Sequence, residues 1–96
     1  MRVRLSRQAA DDIADIIAYT VQQFGETQAK RYSAGLHMSF ELLEDNPRLG
    51  HAVLRSDRAG EFRRYTYKSH YIFYEIQSTE IVIATIRNTR QRSPED

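Results

Sequence analysis

Residues 60–86 read GEFRRYTYKSHYIFYEIQSTEIVIATI, and this stretch decides the fold. Its segments FRRYTY, YIFYEI and IVIATI are dominated by aromatic and β-branched residues, which suit a pleated, half-buried surface. The separators KSH and QSTE are short enough to join only antiparallel neighbours, which predicts a three-stranded antiparallel meander. Alternation within the second segment places Ile72, Tyr74 and Ile76 toward the rest of the protein and Tyr71, Phe73 and Glu75 away from it.

Upstream the period changes from two to three and four. Ala9, Ala10, Ile13, Ile16, Ile17, Thr20, Val21 and Phe24 form one apolar stripe behind Ser6, a natural N-cap, and Gly25 stops this helix at about Phe24. Asp11, Asp12 and Asp15 lie mostly off the stripe and read as an acidic opening turn facing water. Thr27 can cap a second helix in which Ala29, Tyr32, Leu36, Phe40 and Leu43 repeat the spacing to about Asp45, where Asn46-Pro47 ends it. The short connection makes the two helices an antiparallel hairpin. Before them, Val3 and Leu5 alternate with Arg2 and Arg4 as in a short strand. Residues 46–60 read as an exposed connection with a short strand near Val53, and the stretch RNTRQRSPED at the end as an exposed tail. The predicted class is α+β: strand, two-helix hairpin, three-stranded meander, with the helices on one face of the sheet.

A chain of 96 residues makes one domain, 1–96, and its ten aromatics supply a core without disulfides. The absence of cysteine excludes thiolate zinc sites and cysteine nucleophiles and fits a reducing cytoplasm. No window approaches the roughly 20 apolar residues of a membrane span, and MRVRLSRQ has no apolar run behind its basic residues, so neither a membrane nor export is expected. His37, His51 and His70 lack ligand spacing, and the glycines at 25, 35, 50 and 60 stand singly, so no metal, phosphate loop or cofactor is expected.

Charge is uneven along the chain. Residues 1–46 carry five basic and seven acidic side chains, whereas residues 47–96 carry nine and six, and twelve of all fourteen cations are arginine. Arginine favours planar, bidentate contact with carboxylates or phosphates. Arg63, Arg64, Tyr65, Tyr67, Lys68 and Tyr71 fall on the first hairpin, and Arg87, Arg90 and Arg92 at the end of the last strand, which a meander brings near them. Such a set can bind RNA through phosphate contact and stacking, or anchor a protein partner. Half-buried strand tyrosines with solvated arginines beside them would give the same pattern.

Four motifs, in this order, resemble the ParE/RelE superfamily of toxins over almost the whole chain. They are the helix opening LSRQAADDIADIIAYT, the turn DNPRLG, the hairpin GEFRRYTYKSHYIFYEI and the final strand IVIATIRNTRQR. The resemblance implies one of two activities. RelE-like members cleave messenger RNA on the ribosome with a basic sheet cluster and, in many, a C-terminal tyrosine; here Arg64 and Arg90 occupy cation positions, Tyr71 is not basic, and the chain ends in PED. ParE-like members poison DNA gyrase without being enzymes, often with a histidine where this chain has Arg87. The second branch is the expectation: the non-enzymatic toxin of a type II toxin–antitoxin pair, inhibiting DNA gyrase and neutralised in a hetero-oligomer by a cognate antitoxin, ParD-like or another small protein. The alternative is a RelE-like ribosome-dependent endoribonuclease. Target contact is then expected at Arg63, Arg64, Tyr65, Tyr71, Arg87, Arg90 and Arg92. An antitoxin segment is expected in a groove around Ile17, Val21, Tyr32 and Leu36, its carboxylates meeting Arg63 and Arg64.

Overall fold

The computed structural model describes residues 1–54 and 60–90. Strand β1 (Arg2–Leu5) is followed by helices α1 (Arg7–Phe24) and α2 (Glu26–Asp45), a 3₁₀ turn (Pro47–Leu49), and strands β2 (His51–Val53), β3 (Glu61–Tyr67), β4 (His70–Ile76) and β5 (Glu80–Asn88). The expected meander is β3–β4–β5, and both outlying strands extend it into one sheet of order β1-β5-β4-β3-β2. β1 runs parallel to β5, with Val3 opposite Ile81 and Leu5 opposite Ile83. The two helices cover one face of this sheet and bury Leu36, Phe40 and Leu43 against Ile72, Tyr74, Ile81 and Ile83.

The Ser6 hydroxyl accepts from the Ala9 amide, and Gly25 closes α1 with φ 90°, a backbone region a side chain would resist. Thr27 is not the cap of α2: the helix already includes Glu26, and Gly25 serves as its flanking residue without a side-chain bond. The apolar stripe of α1 is narrower than its spacing predicts. Ala9, Ile13 and Thr20 are buried, but Val21 is 38% and Phe24 67% exposed. The last turn of α1 therefore overhangs the core instead of lying in it.

β1 pairs with β5 only as far as Ile83, which leaves the next backbone groups of β5 without a strand to bond. Helix α1 supplies the partners. Ser6 Oγ donates to the Ala84 carbonyl (2.8 Å), and the Asp12 carboxylate accepts from the Ile86 amide (2.9 Å) and the Thr85 hydroxyl (2.7 Å). The register of β4 on β5 slips between Phe73 and Tyr74 at this level, leaving Ala84 as the extra residue. Asp12 is thus not the water-facing charge its position suggests, and no acidic residue lies in the first turn of α1. Another carboxylate guards the free edge of β1, where the Val3 amide donates to Glu44 (2.8 Å).

The turn after α2 is held from inside. The Tyr74 hydroxyl, on a side chain only 1% exposed, donates to the Pro47 carbonyl (2.7 Å) and accepts from the Gly50 amide (2.9 Å). A methyl group on Gly50 would stand 2.8 Å from the Arg64 carbonyl, so the close approach of turn and β3 needs glycine there.

Hydrogen bonds to a charged acceptor contribute about 1.5–3 kcal/mol each. Asp12→Ala is therefore expected to lower unfolding stability by about 2 kcal/mol or more, and Asp12→Asn, which keeps one acceptor oxygen, by less. Urea denaturation of the three proteins checks this ordering.

Candidate functional site

Residues directly opposite in a sheet share a face, so the register sorts the expected target-contact residues. Arg64 stands opposite Phe73, and Tyr71 opposite both Thr66 and Arg87, all on the face away from the helices. The Arg64 guanidinium lies 4.5 Å from the centre of the Tyr71 ring, and Tyr71 meets Phe73 edge-on at 6.0 Å. Arg87 is exposed beside them. Arg64, Tyr71 and Arg87 thus form one basic aromatic patch. Phe73 is buried although it faces away from the helices, as is Phe62 on the same face.

Arg63 and Tyr65 do not join this patch. They pair with Tyr74 and Ile72 and so belong to the helix side of the sheet. Arg63 is spent on structure: it donates to Glu61 (2.9 Å) and to the Gly50 carbonyl (2.6 Å), with its side chain 18% exposed. Tyr65 packs against the core. Arg90 lies just past β5, exposed, its amide bonded to Asn88. Arg92 lies outside the described residues. The expected tail also begins later, since Arg87 and Asn88 continue β5 and the Thr89 amide bonds to the Ser69 carbonyl.

Sequence spacing gave no sign of one neighbour of the patch. His51 on β2 stands opposite Arg64, exposed on the outer face. A three-residue edge strand is too short to show its facing from its own pattern. At the other end of the face, Arg4 grips Glu80 through two nitrogens (3.0 and 3.1 Å), and this ion pair holds the Glu80 carboxyl below its usual range. The excess positive charge therefore lies at the Arg64–Arg87 end.

The four residues expected to meet an antitoxin separate as well. Ile17 and Val21 line a shallow groove between α1 and α2 with Ala29, Lys30 and Ala34. Tyr32 lines a different cleft, of about 430 Å³, between α1 and the ends of β4 and β5. Leu36 is 0% exposed and belongs to the core, because α2 lays this part of its stripe flat on the sheet. In the cleft the Tyr32 hydroxyl meets His70 Nδ1 and Ser69 Oγ, and its ring tilts onto Tyr67 at 5.1 Å. Burial pushes the Tyr32 phenol up and the His70 imidazole down from their ordinary values.

Among the described residues no group of three or more histidine, aspartate or glutamate side chains is placed to hold a metal ion. No helix among them is long and apolar enough to cross a membrane. The surfaces are a basic aromatic patch on the sheet, an apolar groove on the hairpin, and a cleft between α1 and the ends of β4 and β5.

The ParE toxin family of type II toxin–antitoxin systems, parDE, matches residues 3–93. This chain belongs to the ParE toxin family. It is 37% identical over 73 residues to Toxin ParE1 of Caulobacter vibrioides, covering 76% of this chain and 74% of that protein. Its fold is similar to that of a chain from the chromosomal ParDE system of P. aeruginosa, with a TM-score of 0.75 at 22% identity, over 92% of this chain and 95% of that one. In this ParE-family member the turn motif DNPRLG and the Tyr74 strand are joined physically, since the Tyr74 hydroxyl holds both Pro47 and Gly50.

His70 supplies a pH test of the cleft. Its folded pKa lies below the unfolded value of about 6.5, so the unfolded chain binds the proton more readily. The neutral ring's contribution is complete above about pH 6.5 and is lost as pH falls from there through the lower folded value. Between pH 7.5 and 5, the urea midpoint of the wild type is expected to fall further than that of His70→Gln.

Proposed function

We propose that this ParE-family toxin acts without catalysis, by binding DNA gyrase through the outer face of its sheet, and that a cognate antitoxin silences it by occupying the hairpin. The patch of Arg64, Tyr71 and Arg87 carries this reading. Arginine and tyrosine are the side chains that most often anchor protein interfaces, because each combines apolar area with directed donors. A cation stacked on a ring is held in place before the partner arrives, which reduces the ordering cost of binding. Membership of the ParE toxin family of type II toxin–antitoxin systems supports the antitoxin half of this reading.

Purified toxin added to gyrase and relaxed plasmid is expected to inhibit supercoiling or trap broken DNA, while messenger RNA in a translating extract stays intact. Arg87→Ala is expected to weaken the gyrase effect about five- to thirty-fold, since truncating an arginine anchor commonly costs about 1–2 kcal/mol or more.

A second reading rests on His51, whose imidazole stands across from Arg64 and could accept a ribose hydroxyl proton while arginines hold the phosphate. Under it, the chain is a RelE-like ribosome-dependent endoribonuclease. Codon-periodic cleavage that His51→Ala abolishes, with gyrase untouched, would replace the first reading by this one.

The antitoxin side of the proposal rests on the groove at Ile17 and Val21, which is apolar and open. Leu36 lies in the core and not in the lining of this groove, so removing it would test folding, at about 2–5 kcal/mol, more than binding. Val21→Asp is the cleaner variant because the residue is 38% exposed. Co-purification with the co-expressed antitoxin is expected to fall while the melting temperature of the free toxin stays within a few degrees.

A further inference from the structure

The cleft between α1 and the ends of β4 and β5 differs in character from the other two surfaces. Its walls include Ile16, Tyr19, Phe24 and Tyr32, and among the described residues no lysine or arginine lines it. Tyr19 is 60% and Phe24 67% exposed, a large aromatic area for one helix end to leave uncovered. Two carboxylates stand on the same side of it, Asp12 and Asp15. Asp12 is committed, with Gln8 on one oxygen and the β5 edge on the other. Asp15 makes no hydrogen bond or ion pair with any described residue.

We infer that this cleft receives a cationic, apolar segment of a partner chain, with a lysine or arginine seated on Asp15 and an adjacent large apolar side chain between Tyr19, Phe24 and Tyr32. The inference deepens the proposal that an antitoxin occupies the hairpin by assigning a charge to one part of the segment that does so. Charge complementarity selects the occupant. An acidic segment would meet two carboxylates with no lysine or arginine among the described lining residues to relieve them, and like charges brought together oppose association. A cation instead gains the Asp15 carboxylate and two ring faces suited to cation–π contact. Its aliphatic stem can lie along the same rings. The basic patch of Arg64 and Arg87 on the outer sheet face has the opposite preference. A segment reaching from one surface to the other must therefore change sign along its length, basic at the cleft and acidic at the sheet.

The test uses the full chain and two synthetic 16-residue amphipathic peptides of the same pattern, one built from leucine and lysine, the other from leucine and glutamate. Calorimetry is expected to show binding of the lysine peptide that weakens with added salt, and at least tenfold weaker binding of the glutamate peptide. NMR shifts should centre on Asp15, Tyr19, Phe24 and Tyr32. Asp15→Lys should weaken the lysine peptide about tenfold or more, and Phe24→Ser should weaken it too. Asp45→Lys, a reversal on an exposed residue outside the cleft, should not. All three positions are exposed, and circular dichroism checks that each variant is folded. Equal binding of the glutamate peptide, indifference to Asp15→Lys, or shifts centred elsewhere would overturn the inference. Neither peptide involves gyrase or an antitoxin. A toxic, antitoxin-bound chain that ignores the lysine peptide would lose this inference alone, and a chain inert toward gyrase that binds it would lose only the gyrase proposal.

Discussion

The edge of β5 beyond Ile83 is the constraint on which the arrangement of this protein turns. A buried strand edge must bond its amides and carbonyls to something, and β1 is too short to serve the whole length. Helix α1 completes the edge with two side chains six residues apart, Ser6 at its cap and Asp12 in its body. Because both bonds are directional, they fix where α1 crosses the sheet as well as the fact that it does so. The same placement decides what remains uncovered. α1 runs on past Asp12 to Phe24, and its final turns stand away from the core. The exposed aromatics and the cleft beneath them follow from where the helix is pinned.

A second anchor works on the same helix-covered face, at the turn before β2. Tyr74 carries a hydroxyl into the core, where an unpaired polar group would be costly, and the 3₁₀ turn provides both an acceptor at Pro47 and a donor at Gly50. The turn in exchange is held against β3, close enough that Gly50 can carry no side chain. Arg63 reinforces the junction through Gly50 and Glu61. One arginine of the pair Arg63-Arg64 thus braces the turn, while the next, on the opposite face, stacks on Tyr71.

The three candidate surfaces differ in chemistry because they arise from different elements. The sheet's outer face has no helix over it among the described residues and collects arginines from β3 and β5 around Tyr71. The hairpin groove is lined mainly by small and apolar residues of two adjacent helices, with Glu26 and Lys30 among them. The cleft combines the acidic side of α1 with aromatics from both helices. Under the proposed function, a partner on the hairpin and cleft and a target on the sheet would not compete for the same side chains.

By itself, the sequence determined the elements and their order. Periods of two and of three to four separated strands from helices, Ser6 and Gly25 marked the ends of α1, and Asn46-Pro47 ended α2. Its motifs also pointed to the family that the comparison established. Alternation assigned Ile72 and Tyr74 to the core face, because a period-two pattern with one buried side leaves little choice. Only the tertiary structure decided which polar side chains brace the fold and which face its open surfaces. Asp12 and Asp15 are three residues apart and look alike in sequence, yet one closes the edge of β5 and the other faces an aromatic cleft. Arg63 and Arg64 are neighbours whose roles part because successive strand residues point to opposite faces. Leu36, Tyr32, Ile17 and Val21 share helical spacing, but spacing records only which side of a helix a residue occupies. What covers that side depends on the second helix and the sheet, contacts made between residues far apart in the chain.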